Sequence, residues 1–293
     1  MSAEAALHWA GQTGVWVAAL LGLVLVIRRP FAKVFGAQAT YWLWALPAIR
    51  LVMPELRVLP ATQSPPVRPD TLPTLSAVPT ADADAAVAGA AALPPAAAPL
   101  LLALWLGVAA LGFSIVQARH QRFRRAVIAR SRPAPELVSA LAETASQAGL
   151  RRVPDLRLDP AGLGPLVMGA VRPVVVLPAD AAVRFSSAQL RHALLHECVH
   201  IRRRDLWAAH AALLFRALNW PNPLAHLAAP AFRADQEAAT DAHVLRVSGD
   251  VVGYAETLLR AARHGAPTSD APGPDALGLA LSSPPHPSLE TEP

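Results

Sequence analysis

The chain has 293 residues, of which 53% are hydrophobic and only 16% charged. An average soluble domain carries about 25% charged residues, so the balance argues against an ordinary water-soluble enzyme. The net charge of +5 comes almost wholly from arginine, since Lys33 is the single lysine, and the lone cysteine, Cys198, excludes a disulfide framework or a Cys-rich zinc module. From Ala5 to Ile27 there is no charged residue, and Gly14 to Ile27 is almost purely apolar. Such a run spans a hydrocarbon core of roughly 30 Å as a helix. Arg28, Arg29 and Lys33 follow it, whereas a secretory signal has its positive charges in front. The reading is a retained span with its amino terminus outside. Val34 to Ile49 is again uncharged and contains Tyr41, Trp42, Trp44 and Pro47. It is expected to be a second span, with a re-entrant or interfacial helix as the alternative.

Ala96 to Val116 forms a third apolar run, and Arg119, Arg122, Arg124, Arg125, Arg130 and Arg132 come after it. Three spans place both basic groups on one face of the membrane, which the bias of positive residues makes the cytoplasmic one. A basic segment facing anionic lipid accounts for these arginines, and no direct nucleic-acid contact is expected. The resulting division is two spans in 1–54, a Pro/Ala-rich external loop at 55–95, a third span at 96–117, a soluble domain at 118–264 and a disordered tail at 265–293.

Within the soluble domain, Pro135 to Ala148 reads as helix, and Leu156–Leu158 and Ala170–Leu177 as short strands. Pro173 marks the second of these as an edge strand, because proline lacks the N–H that an inner strand uses. Further helices are expected near Ser187–Arg203, Leu206–Leu218, Ala231–Val247 and Val251–Arg263. The fold class is thus an α-helical membrane protein with a mainly α domain carrying a small β-sheet.

The chemistry rests on His196-Glu197-Cys198-Val199-His200. Ser186 with Gln189 makes a capping box that starts the helix at Ser187. On that helix His196 and His200 share one face, one turn apart, so two imidazole nitrogens reach one zinc ion at about 2.1 Å. Glu197 lies about 100° around and reaches a zinc-activated water without competing for the metal. His192 is two turns from His200, roughly 12 Å, too far to share the ion, and reads as solvated or as supporting the site from behind. Cys198 points into the helix packing as a small buried hydrophobe. For a third ligand the best candidate is Glu237, with Asp241 four residues on, able to accept a hydrogen bond from the free ring nitrogen of a ligand histidine. The bland alternative is an acidic solvated helix face, and Asp205, His210, His226 and His243 are lesser rivals. Asp205 is expected to pair with Arg202 to Arg204 or to cap the following helix.

Four stretches in this order resemble the BlaR/MecR-type membrane-bound zinc metallopeptidases: Gly164–Gly169 running into Arg172–Pro178, Leu194–Ile201 with Arg203 to Asp205, Asn219–Leu224, and Arg233 through Glu237 to Asp241. Tyr254-Ala255 before Leu258-Leu259 is a weaker match. The resemblance covers about residues 135–262. It implies a gluzincin-like domain facing the cytoplasm of a bacterial inner membrane, with zinc held by His196, His200 and Glu237 and Glu197 as general base. It also implies a cytosolic protein substrate, with loss of a transcriptional repressor as the outcome in the antibiotic sensors. A fourth span and an external penicillin-binding domain, known from those sensors, are not evident, so peptidase chemistry is expected without direct beta-lactam sensing. Tyr254 is weighed as an oxyanion donor against a packed helical tyrosine. A quality-control membrane protease and a non-catalytic docking receptor are the competing readings.

Overall fold

The computed structural model describes residues 2–53 and 97–264; the loop expected at 55–95 and the tail at 265–293 lie outside them. Helix α1 runs from Ala3 to Trp42, opened by Ser2, whose hydroxyl accepts from the Ala5 N–H. It continues unbroken through Arg28, Arg29 and Lys33, so the first basic group sits on helix rather than in a loop. The expected second span, Val34–Ile49, is not one helix. Gly36 breaks α1 at φ 80°, a backbone that side chains with a Cβ disfavour, and the chain turns at Leu43 and Trp44. The following α2 covers only Ala45–Val52. Its rise of about 12 Å is less than half a hydrocarbon core. Among the described residues two segments are long and apolar enough to cross a membrane, Ala3–Val52 and Ala97–Arg130.

The second of these is α3, Ala97–Arg130, which begins where the third span was expected and carries the arginines on its continuation. Four strands follow: β1 (Arg132–Pro133), β2 (Asp155–Asp159), β3 (Leu166–Met168) and β4 (Val174–Pro178), in the order β1-β2-β4-β3. The pair β2/β4 is parallel and the other two are antiparallel. The strand expected at the edge is therefore an inner one. Pro173 falls just before its first residue, so the missing N–H lies outside the ladder. Val175 and Leu177 pack into the core with Leu141, Leu194 and Leu195, while Val174 and Val176 pack against Val127 of α3. Covered on both faces, the strand reads as a continuous apolar run instead of an alternating one. The Arg130 guanidinium closes this seam with two hydrogen bonds, 2.6 and 3.1 Å, to the fully buried Asp159 carboxylate.

The remaining helices are a 3-10 turn (Pro135–Leu137), α4 (Val138–Gln147), α5 (Ala181–Arg184), α6 (Ser187–Arg203), α7 (Asp205–Leu218), α8 (Pro223–Ser248) and α9 (Val251–His264). Both hydrogen bonds of the Ser186–Gln189 capping box are present at the start of α6. Helix α8 starts at Pro223, eight residues earlier than expected. Asn222 accepts from the Leu224 N–H, Pro223 occupies the first turn where no N–H is needed, and Pro230 is carried inside the helix. Its first half packs Ala225 and Ala228 against Val17, Leu21 and Val24 of α1. Its second half crosses α6 and supplies the site.

Candidate metal centre

His196 and His200 leave the same face of α6, their rings 4.6 Å apart and nearly perpendicular. The two Nε2 atoms are 3.0 Å apart, and Glu237 Oε2, arriving from α8, lies 3.5 Å from one and 3.6 Å from the other. Ligands at about 2.1 Å around a tetrahedral zinc stand roughly 3.3–3.4 Å from one another. The donor triangle is thus already of the size one such ion requires. Among the described residues His196, His200 and Glu237 form the one group of three or more such side chains close enough to hold a metal. The rivals sit elsewhere: His210 Nδ1 donates to the Leu206 carbonyl, His226 lies against the Trp220 carbonyl, and His243 is outside the cluster.

Each ring is held from behind. His200, fully buried, donates from Nδ1 to Asp205 Oδ2 at 2.8 Å, and the same oxygen accepts from Arg203 Nε at 3.1 Å. Thr240 Oγ1 lies 3.1 Å from it as well. His196 Nδ1 is 2.7 Å from the Tyr254 hydroxyl and 3.3 Å from Asp241 Oδ1, and that hydroxyl donates to Asp241 at 2.7 Å. Asp241 thus lies behind His196, with the Tyr254 hydroxyl in contact with both. The Tyr254 hydroxyl is engaged behind His196, and the residue is 1% exposed, as a packed helical tyrosine is. His192 is buried rather than solvated, with Nδ1 3.3 Å from Thr257 Oγ1 and its ring edge-on to Tyr254. Cys198 is fully buried, and burial pushes its thiol up to about 12.

The residue that sequence reasoning undervalued is Asp205. Its pairing with the neighbouring arginines was expected and is present through Arg203, but its carboxylate also fixes the ring of His200. The signal was available only in part. An acid five residues beyond a helical histidine reaches it only if the chain turns back at once, and the left-handed Arg204 (φ 61°) is what turns it.

Burial and the surrounding carboxylates set the charge state of the cluster. Burial lowers the affinity of His196 and His200 for a proton, but the carboxylates of Asp241, Asp205 and Glu237 outweigh it and raise both. At 3.0 Å one Nε2–H must point at the other Nε2 lone pair, so the two rings share one added proton well above the ordinary histidine range. Burial would raise Glu237, yet the imidazoles beside it hold its carboxyl far below the usual range. Glu197 is 3% exposed, and burial raises its pKa despite the two histidines. Three buried carboxylate oxygens, Glu197 Oε2, Asp205 Oδ1 and Glu237 Oε1, have no hydrogen-bond partner. Buried acceptors are rarely left so, and a metal with its water would satisfy those of Glu197 and Glu237.

The structure thus brings the His-Glu-x-x-His stretch of one helix together with a glutamate from a second. A family model described as BlaR1 peptidase M56 matches residues 10–273, and the chain belongs to that family. It is similar to the regulatory protein BlaR1 of Bacillus licheniformis, 30% identical over 82 residues, which is 28% of this chain and 14% of that protein. It is also similar to the methicillin resistance mecR1 proteins of Staphylococcus aureus and Staphylococcus epidermidis, 26% identical over 98 residues, 33% of this chain and 17% of each relative. The matched stretches are thus a small part of these longer proteins.

Proposed function

We propose that the protein is a membrane-bound zinc metalloendopeptidase with a gluzincin-like centre, which answers a signal by cutting a cytosolic protein, either a transcriptional repressor or itself. The observation that carries this reading is the Nε2/Nε2/Oε2 triangle with the unpartnered Glu197 Oε2 beside it. His196, His200 and Glu237 hold the ion, while Asp205 and the Tyr254–Asp241 pair fix the rings that bind it. Zinc, when bound, supplies a Lewis acid that lowers the pKa of its water to about 7. Glu197, its own pKa raised by burial, is suited to take a proton from the attacking water and pass it to the leaving amine. A docking module would need no such orphaned base.

The strand that aligns an extended substrate is β3 in this reading, not β4. It forms the sheet edge next to α6, and the Val167 main chain hydrogen-bonds Glu197. Main-chain pairing along that edge would lay a peptide across the site. Responsiveness to a signal is supported by the elbow of α1. Gln38 accepts from Arg203 Nη1 at 2.6 Å, and Tyr41 offers its ring face to the same guanidinium at 5.0 Å, one residue removed from the carboxylate behind His200. With α1 and α3 as spans, both basic ends meet the peptidase domain, so the domain faces the cytoplasm of a bacterial inner membrane. Membrane lipids are then its surroundings, and no nucleic acid is needed.

The test is zinc content together with proteolysis of a candidate repressor by membranes holding wild type or Glu197→Gln. Stoichiometric zinc in both, with cleavage by wild type alone, is the expected result. Folded protein that binds no zinc overturns the metal assignment and the mechanism with it.

A further inference from the structure

Beyond Asp205, the helical hairpin formed by α7 and the first half of α8 has no role in the site, yet it is built like part of the membrane region. From Leu206 to Ala231 the only Asp, Glu, Lys or Arg is Arg216. Trp207, Leu214, Trp220 and Leu227 stand 53%, 47%, 40% and 62% exposed on its outer surface. In water such a surface would be costly, and it continues the surface of the spans themselves.

Its depth follows from its contacts. Arg28, the first charge after the apolar run of α1, pairs with Asp235 of α8 at 3.0 Å and donates to the Ala231 carbonyl. Toward the hairpin tip, Leu224 and Ala225 pack beside Leu21 and Val17, and a Cβ on Gly22 would lie 3.9 Å from Leu224 Cδ1. From Arg28 back to Gly22 and Val17 the helix rises about 9 and 16 Å, and from Asp235 to Leu224 about 16 Å. The tip therefore stands beside the middle of an apolar span, about half of a 30 Å core beyond the basic belt.

The turn also pairs several of its own polar groups. Pro221 and Pro223 have no N–H to satisfy. The Asn219 N–H and side-chain amide both donate to the Phe215 carbonyl, the Asn222 N–H donates to the Asn219 carbonyl, and the Leu224 N–H donates to Asn222 Oδ1. His226 Nε2 covers the Trp220 carbonyl at 3.0 Å. Of the buried side-chain atoms here, Asn222 Nδ2 alone is unpaired. Backbone groups satisfied inside the segment are the condition for entering a bilayer. The single charge, Arg216, is partly buried and lines a partly open cavity with Gln117 and His120 of α3, which gives it polar neighbours away from the lipid.

We infer that the α7–α8 hairpin is inserted in the inner half of the bilayer, with Trp207, Leu214, Trp220 and Leu227 against lipid acyl chains. The inference rests on reading α1 and α3 as spans. Glu237 lies two residues past Asp235, so the hairpin anchors the candidate metal centre at the membrane surface.

The experiment places a nitroxide on introduced cysteines in the full chain, in which the native Cys198 is fully buried and an unsubstituted control reports its labelling, reconstituted in phosphatidylcholine–phosphatidylglycerol vesicles. Trp220→Cys and Leu227→Cys report the hairpin; Leu104→Cys, 63% exposed on α3, reports lipid; Val183→Cys, 85% exposed on α5, reports water. Collision rates with oxygen and with a water-soluble nickel chelate are compared. The hairpin labels are expected to lose nickel contact to the Leu104→Cys level while gaining oxygen contact. Nickel access equal to that of Val183→Cys, with Leu104→Cys protected, overturns the hairpin inference alone. Nickel access at Leu104→Cys as well overturns the span reading on which it rests. Leu227 is an outward side chain whose replacement removes little packing, so the comparison survives a Trp220 variant that fails to fold.

Discussion

Replacing Asp205 by Asn isolates the support given to one candidate ligand without changing its volume. The carboxylate is 3% exposed and accepts from His200 Nδ1 at 2.8 Å and from Arg203 Nε at 3.1 Å. An amide oxygen still accepts one of these bonds, so His200 keeps its place but loses the negative charge that makes its other nitrogen a stronger donor. Loss of such a partner weakens metal affinity about 10–100-fold, or about 1.4–2.7 kcal/mol. A second cost falls on the metal-free protein. Arg203 loses a charge-assisted bond worth about 1.5–3 kcal/mol while keeping Gln38 and the Tyr41 ring. The two are separated by thermal unfolding at zero and at fixed free zinc. The zinc-free loss measures the Arg203 bond, and the shrinkage of the zinc-induced gain measures the affinity change. Chelator competition should return the same affinity ratio. An Asp205→Asn protein with wild-type zinc affinity would refute the reasoning that places this carboxylate behind a ligand.

Zinc binding is expected to release about one proton near neutral pH, because the ion displaces the proton shared by His196 and His200; calorimetry in buffers of different ionisation enthalpy checks it. In the metal-free protein the carboxylates around His196 and His200 hold the proton these rings share above the unfolded value near 6.5. Its contribution is therefore full below pH 6.5 and is lost as pH rises through about 9 to 10, whereas the zinc-loaded protein should lack this loss; melting curves across that range decide it. Gly169→Ala should destabilise by more than about 1 kcal/mol, since φ is +91° and a Cβ would stand 2.5 Å from the Arg172 carbonyl oxygen; denaturant unfolding measures it. Arg130→Met strands the fully buried Asp159 and should cost about 3–5 kcal/mol, seen as a lower unfolding midpoint and as easier proteolysis between α3 and the sheet.

The sequence by itself determined what local spacing can determine. A four-residue interval on a capped helix fixes His196 and His200 on one face, because the α-helix repeats every 3.6 residues whatever surrounds it. The same period pairs Glu237 with Asp241, and the apolar runs of α1 and α3 announce themselves by length and lack of charge. The capping box, the burial of Cys198 and the start of α9 were legible for similar reasons. Tertiary structure decided the rest. Pro173 signals an edge strand only if it lies within the ladder, and pairing placed it one residue outside. Val34–Ile49 has the composition of a span, yet the left-handed Gly36 and the turn at Trp44 divide it. That Asp205 serves His200, that Tyr254 sits behind His196, and that Glu237 reaches both Nε2 atoms all depend on how α6, α7, α8 and α9 cross. Crossings are set by the sum of many packing contacts between distant segments, and no local period in the chain records that sum.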